Sequence, residues 1–168
     1  MRLFQNLTLI AALTLSACGS PKETLPPINP DSGATFRIYA VMYNPHGEPA
    51  RRPRGGAVLG EDALKFIDTT GKTFIVELPT IVDETCLSAI GASGIDEFRP
   101  SLDIQFNDAC ADKFGRFTTE NLSKNMAVVV NGELISAPFI TTPILGGDVL
   151  ISGFGNLAEI EAIARSFY

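Results

Sequence analysis

The run Met126-Ala127-Val128-Val129-Val130, followed at once by Asn131-Gly132, constrains the fold more than any other part of the chain. A strand with one wet face alternates apolar and polar residues, so an unbroken apolar run rich in valine predicts a central strand covered on both faces. Asn-Gly readily adopts the positive φ values of a two-residue hairpin turn, and it returns the chain as a second strand over Glu133 to Ile140.

Around this hairpin the remaining pattern alternates between two periods. Thr35 to Tyr43 sets Phe36, Ile38, Ala40 and Met42 against Arg37, Tyr39, Val41 and Tyr43, the period-2 pattern of a strand. Ala63 to Ile67 is a short apolar segment of ambiguous type. Gly71-Lys72 then turns the chain into Thr73 to Leu78, where Phe74, Ile75 and Val76 favour a strand that Pro79 ends. Ser101 to Phe106 and Val149 to Ser152 read as further strands. Asp83 is placed to cap a short helix running to Ile90, with Glu84 in its first turn and Gly91 past its end. Asn107 caps a second helix in which Cys110, Phe114 and Phe117 share one face, while Asp112, Lys113 and Arg116 take the wet side. The last helix opens at Asn156, with Glu159 at capping-box spacing, and aligns Leu157, Ile160, Ala164 and Phe167. The class expected is α+β: a mixed or antiparallel sheet with helices packed on one face, in a single domain over residues 34–168.

The N-terminus reads differently. A lone Arg2 precedes an apolar run from Leu7 to Ala17, too short for the roughly 20 residues that a membrane span needs. Leu15-Ser16-Ala17-Cys18 resembles the lipobox of bacterial lipoproteins, in which the cysteine becomes the acylated first residue of the mature chain. Residues 1–17 are therefore expected to be a lipoprotein signal peptide. Residues 18–33, with Pro21, Pro26, Pro27 and Pro30, read as lipidated Cys18 and a semi-rigid linker. Each buried methylene contributes about 0.8 kcal/mol, so two or three acyl chains, palmitate among them, would hold the chain firmly at a membrane. Gly19 in the second mature position differs from the aspartate that resembles an inner-membrane retention signal. That favours the periplasmic face of the outer membrane.

Charge and residue inventory exclude several functions. The formal charge is -6, and -7 once Arg2 is removed with the signal, which disfavours a nucleic-acid partner. Cys86 and Cys110 are the pair that remains beside Cys18; in an oxidising compartment they suit a disulfide, the alternative being two buried free thiols. They lack the Cys-x-x-Cys of a thiol oxidoreductase and the ligand set of zinc. His46 is the single histidine and lies in the Pro- and Gly-rich loop 44–56, so no metal or catalytic set forms around it. Arg51, Arg52 and Arg54 in the same loop could touch lipid phosphates or simply be solvated. Ser93 lacks the spacing of a nucleophile elbow and reads as part of a helix-ending loop. Asp83, Glu84, Asp108 and Asp112 sit where helix starts favour carboxylates. No catalytic residue, cofactor or metal is expected.

Four pieces in order carry a family resemblance. Phe114 with Phe117-Thr118-Thr119-Glu120-Asn121 and Lys124 is the first, and Met126 to Gly132, with Ala127, is the second. Ile135-Ser136-Ala137-Pro138-Phe139-Ile140 is the third, and Gly147 with Ile151-Ser152-Gly153 before the final helix is the fourth. Together they resemble the head subdomain of the first periplasmic domain of SecD, the accessory subunit of the bacterial protein-export translocase. The resemblance is clear over residues 103–167, loose over 73–94 and absent from 34–71. These residues read as structural: glycines for turns, a proline that ends ladder pairing, alanines where elements approach closely. In SecD the resemblance implies a head that contacts emerging polypeptide, while a transmembrane part couples proton flow to movement. For this chain it implies a lipid-anchored extracytoplasmic binding module that contacts polypeptides or envelope proteins and is accessory to export. The alternative is a structural or assembly lipoprotein docked on one envelope partner with no export role.

Overall fold

The computed structural model describes residues 27–43, 62–94 and 100–168. The strands divide between two antiparallel sheets. In the first, β1 (Phe36–Tyr43), β2 (Ala63–Ile67), β3 (Thr73–Asp83), β6 (Met126–Val130) and β7 (Glu133–Ser136) lie in the order β2-β3-β1-β6-β7. In the second, β4 (Leu87–Gly94), β5 (Pro100–Phe106) and β8 (Asp148–Ser152) lie in the order β4-β5-β8. Two helices, α1 (Asp108–Glu120) and α2 (Leu157–Arg165), complete the α+β fold; α1 packs beside β3 and α2 across β4 and β5.

The five-stranded sheet is not flat. Its outer strands would stand about 19 Å apart if four strand spacings lay in one plane, yet β2 and β7 approach to within 8 Å, Cα to Cα. The sheet therefore curls into an incomplete barrel. Tyr39, Val41, Phe74, Val76, Ala127, Val129 and Leu134 form an apolar cluster within the curl. Bulk is matched across its strands, with Tyr39 directly opposite Ala127. On the outer side of the curl, Phe36, Ile38, Val82, Met126, Val128 and Val130 join a larger core with both helices and the second sheet. Four rings run through this core in series: Phe36–Phe106 at 6.1 Å, Phe106–Phe114 at 5.2 Å edge to face, and Phe114–Phe117 at 6.2 Å. They link both sheets to α1. Arrangements of this kind contribute beyond their area burial.

Two local expectations are corrected. Pro79 does not end its strand: β3 continues to Asp83. Between the pairs Ile38↔Val82 and Ala40↔Glu77 the register with β1 shifts, and the extra β3 residues bulge out. A bulge leaves a proline without a ladder bond to lose, and the Thr80 hydroxyl, 2.7 Å from Val82 O and 2.8 Å from Ile38 O, bridges the gap. The helix expected from Asp83 to Ile90 is instead one 3-10 turn over Glu84–Cys86, followed by β4. Asp83 still caps that turn, its carboxylate accepting from Thr85 N at 3.0 Å and from the Thr85 hydroxyl at 2.6 Å. Helical propensity lost because Leu87 to Gly94 pairs with β5 along its length, and strand pairing overrides local preference in such short segments.

Three contacts fasten the remaining pieces. A disulfide joins Cys86 to Cys110 across a Cα–Cα distance of 5.5 Å, tying the 3-10 turn to the first turn of α1. Asn107 works beside it: its side chain caps α1 by accepting from Cys110 N at 3.1 Å and donates to Thr85 O at 3.1 Å, while its backbone N–H donates to Cys86 O at 2.9 Å. The loop 141–147 lies directly on α1. Thr118, fully buried, accepts from Ile144 N at 3.0 Å, and a Cβ at Gly147 (φ +81°) would stand 2.8 Å from the Ala111 Cβ. Within the stretch read as a linker, Ile28 packs against the larger core and Asn29 N donates to Phe167 O at 2.8 Å. That docks the N-terminal approach beside the end of the chain.

Replacing Cys86 and Cys110 together by serine frees a loop of 24 residues in the unfolded chain, and is expected to lower unfolding free energy by about 3 kcal/mol. Urea titration of the oxidised and variant proteins measures this. In the same assay Gly147→Ala, which adds a clash to positive-φ strain, is expected to cost about 3 kcal/mol. Gly146→Ala, with φ +86° and open space around its Cβ, should cost about 1 kcal/mol.

Candidate interaction surface

Many of the residues carrying the family resemblance meet at one junction, where α1 ends, β6 begins and the chain leaves β7, while Gly132, Gly147 and Ile151 to Gly153 lie elsewhere. Asn121 closes α1: its side-chain amide donates to Phe117 O at 2.9 Å and accepts from Lys124 Nζ at 2.8 Å. Beyond Ser136 the chain runs as an arm beside residues 123–126. Met126 N donates to Pro138 O at 3.0 Å, Ile140 N to Lys124 O at 2.8 Å and Ser123 N to Ile140 O at 2.9 Å. Asn125 adds a side-chain bond to Ala137 O at 2.8 Å and a bridge opposite Phe139. Phe114, Phe117 and Ile140 are buried in the larger core, while Ala127 and part of Ala137 belong to the cluster inside the curl. Ser136 pairs opposite Val128, and Gly132 (φ +82°) and Gly153 (φ +101°) occupy turns closed to most side chains. Apart from the turn glycines, these residues build the junction.

What the junction holds outward is apolar. Phe139 is 55% exposed, Leu145 72% and Leu122 41%. A shallow groove separates α1 from residues 145–146, with Ala111 and Gly115 along its helix side and Asp112, Arg116 and Glu120 at its rim. Thr118 and Gly115 keep this groove narrow, because a Cβ on Gly115 would meet Leu145 Cδ2 at 3.2 Å. A further exposed leucine, Leu150 at 63%, lies on β8.

Phe139 and Leu145 are the exposed side chains that sequence reasoning misses. Phe139 was expected within a strand reaching Ile140, but β7 ends at Ser136 and the arm turns the ring outward. Leu145 lies between Ile144 and Gly146 with no period to show its direction. Leu150 was legible: alternation in Val149-Leu150-Ile151 puts it opposite the two core residues.

Among the described residues, the other candidates do not assemble into a cluster. Cys18, His46 and the Arg51 to Arg54 loop lie outside the described residues. Ser93 lies on β4, opposite Ser101, rather than in a loop after a helix. Asp83 is engaged as a cap and Asp108 stands in the first turn of α1. Among the described residues no group of histidine, cysteine, aspartate or glutamate is placed to hold a metal ion.

Comparison with known proteins agrees with the junction. The SecDF P1 head subdomain model matches residues 61–166. The protein translocase subunit SecD of Acidaminococcus fermentans is 29% identical over 109 residues, covering 62% of this chain and 26% of that protein. SecD of Rickettsia bellii is 29% identical over 134 residues, covering 78% of this chain and 25% of that protein. The chain thus spans about a quarter of the length of these curated relatives. A solved structure of SecDF, described as a membrane component that enhances protein export, superposes with a TM-score of 0.57 at 24% identity, over 80% of this chain and 61% of that one. With its junction, turns and final helix inside the matched span, the chain belongs to the SecDF P1 head subdomain family.

Proposed function

We propose that this protein is a lipid-anchored, extracytoplasmic binding domain that contacts polypeptides during protein export. The observation that carries the reading is membership of the P1 head family over residues 61–166, since the relatives that share it are named as protein translocase subunits. The Cys86–Cys110 disulfide supports an oxidising compartment outside the cytoplasm. Cys18, in its lipobox-like setting, supplies the anchor, with the periplasmic face of the outer membrane as its site. Among the described residues no helix is long and apolar enough to cross a membrane. The share of an export role assigned to these residues is therefore contact, not charge movement. Phe139, Leu145 and Leu150 supply apolar points for that contact, and the acidic net charge sets its sign. The role needs no catalysis and no cofactor.

A photocrosslinking side chain placed in turn at Phe139, Leu145 and Leu150 of the full chain tests the reading in cells that hold a secreted reporter stalled during export. Adducts with the reporter are the expected outcome. Mass spectrometry of the same material should find Cys18 at the N-terminus carrying acyl chains, and Cys18→Ala should release the protein from the membrane fraction. Adducts with a single fixed envelope protein and never with the reporter would remove the export role.

A further inference from the structure

An extended chain can add to a sheet only where an edge is open, and the outer strands of this fold differ in how open they are. β2 and β7 face each other across the mouth of the curled sheet, and in the three-stranded sheet β4 and β8 are the outer strands, β4 with a register shift between Leu87 and Ala89. β8 is the regular edge of that sheet: among the described residues it pairs with β5 alone, in an unbroken register from Asp148 to Ser152. Edge strands are normally guarded by a charge, a proline or a bulge; β8 carries no proline and no bulge, and its one charge is the acidic Asp148.

The side chains on its outer face select a partner. Val149 and Ile151 enter the core, so Asp148, Leu150 and Ser152 point the other way. Directly paired residues share a face, which puts Asp103 of β5 beside Leu150 and Gln105 beside Asp148. The exposed leucine is thus flanked by two carboxylates. Within β4, β5 and β8 the charged side chains are Asp103 and Asp148, both acidic.

We propose that the β8 edge accepts an extended, cationic segment of polypeptide as an added strand, with an apolar side chain against Leu150 and basic side chains at Asp103 and Asp148. This rests on the reading that the domain contacts polypeptides, and it assigns the place and the chemistry of that contact. A second copy of the chain suits the edge poorly. Pairing two strands of about 17 Å would bury far less than the roughly 1,000 Å² expected of a stable interface, and would bring together two chains of formal charge -6.

The test uses the full chain and three synthetic peptides: one alternating lysine and valine about a central leucine, one with glutamate for each lysine, and the lysine peptide with alternate backbone nitrogens methylated. Fluorescence anisotropy should show binding of the first alone, since methylation removes the backbone donors an added strand needs. Leu150→Lys and Asp148→Lys change exposed side chains and leave the fold intact, and each should weaken binding about tenfold or more. Amide-exchange protection on adding the lysine peptide should appear at residues 148–152. Equal binding of lysine and glutamate peptides, no binding, protection centred on β2, β7 or the α1 groove, or self-association through β8 would overturn the proposal. The two readings fail separately. If Leu150→Lys crosslinks to the stalled reporter from Phe139 and Leu145 as well as the parent does, the edge assignment falls and the export contact stands. If the parent chain crosslinks to no reporter, the export reading falls whatever the peptides do.

Discussion

Everything in this fold is arranged around one strand that has no wet side. Met126, Val128 and Val130 face the larger core and Ala127 and Val129 face the cluster inside the curl, so β6 is shared by two apolar bodies. A strand in that position cannot slip by one residue without exchanging the two sets of side chains. The Asn131-Gly132 turn, in which Asn131 also accepts from Thr35 N at 2.9 Å and donates from its backbone to Thr35 O at 2.9 Å, pins the register at one end. The arm over residues 137–140 pins it at the other. The curl of the five-stranded sheet follows from the same demand, because β6 needs cover on the side away from the helices and the sheet supplies it by closing on itself.

The residues on which the resemblance was read make structural contacts here. Phe114, Phe117 and Thr118 hold α1 and its loop, Asn121 and Lys124 end the helix, and Ser136 to Ile140 fold back along the start of β6. Their joint effect is to fix Phe139 and Leu145 in space as outward points on a rigid base. The disulfide and the Asn107 cap do the same at the opposite end of α1.

Most of this architecture was legible from residue order. The doubly buried strand, the hairpin turn, the Asn107 and Asn156 caps and the alternation in β1, β5 and β8 each rest on a local pattern, and local patterns survive in the fold. What escaped was decided by distant partners. Leu87 to Gly94 carries a helix-like start, and only β5 makes it a strand. Pro79 breaks a ladder unless a bulge receives it, and nothing nearby announces the bulge. Ile28 and Asn29 among the prolines look like linker until the larger core receives Ile28 and Phe167 O accepts from Asn29 N. Curvature was hidden for the same reason: it shows only when β2 and β7, distant in sequence, come together.

The claim that one strand welds two cores into a single cooperative body can be measured directly by native-state amide exchange along β6, read against global unfolding in urea. The account predicts that residues 126–130 exchange only through complete unfolding, and that Val129→Ala lowers protection in α1 and β5 as much as in β2 and β3. Exchange of β6 through a smaller local opening, with α1 and β5 untouched by Val129→Ala, would contradict it.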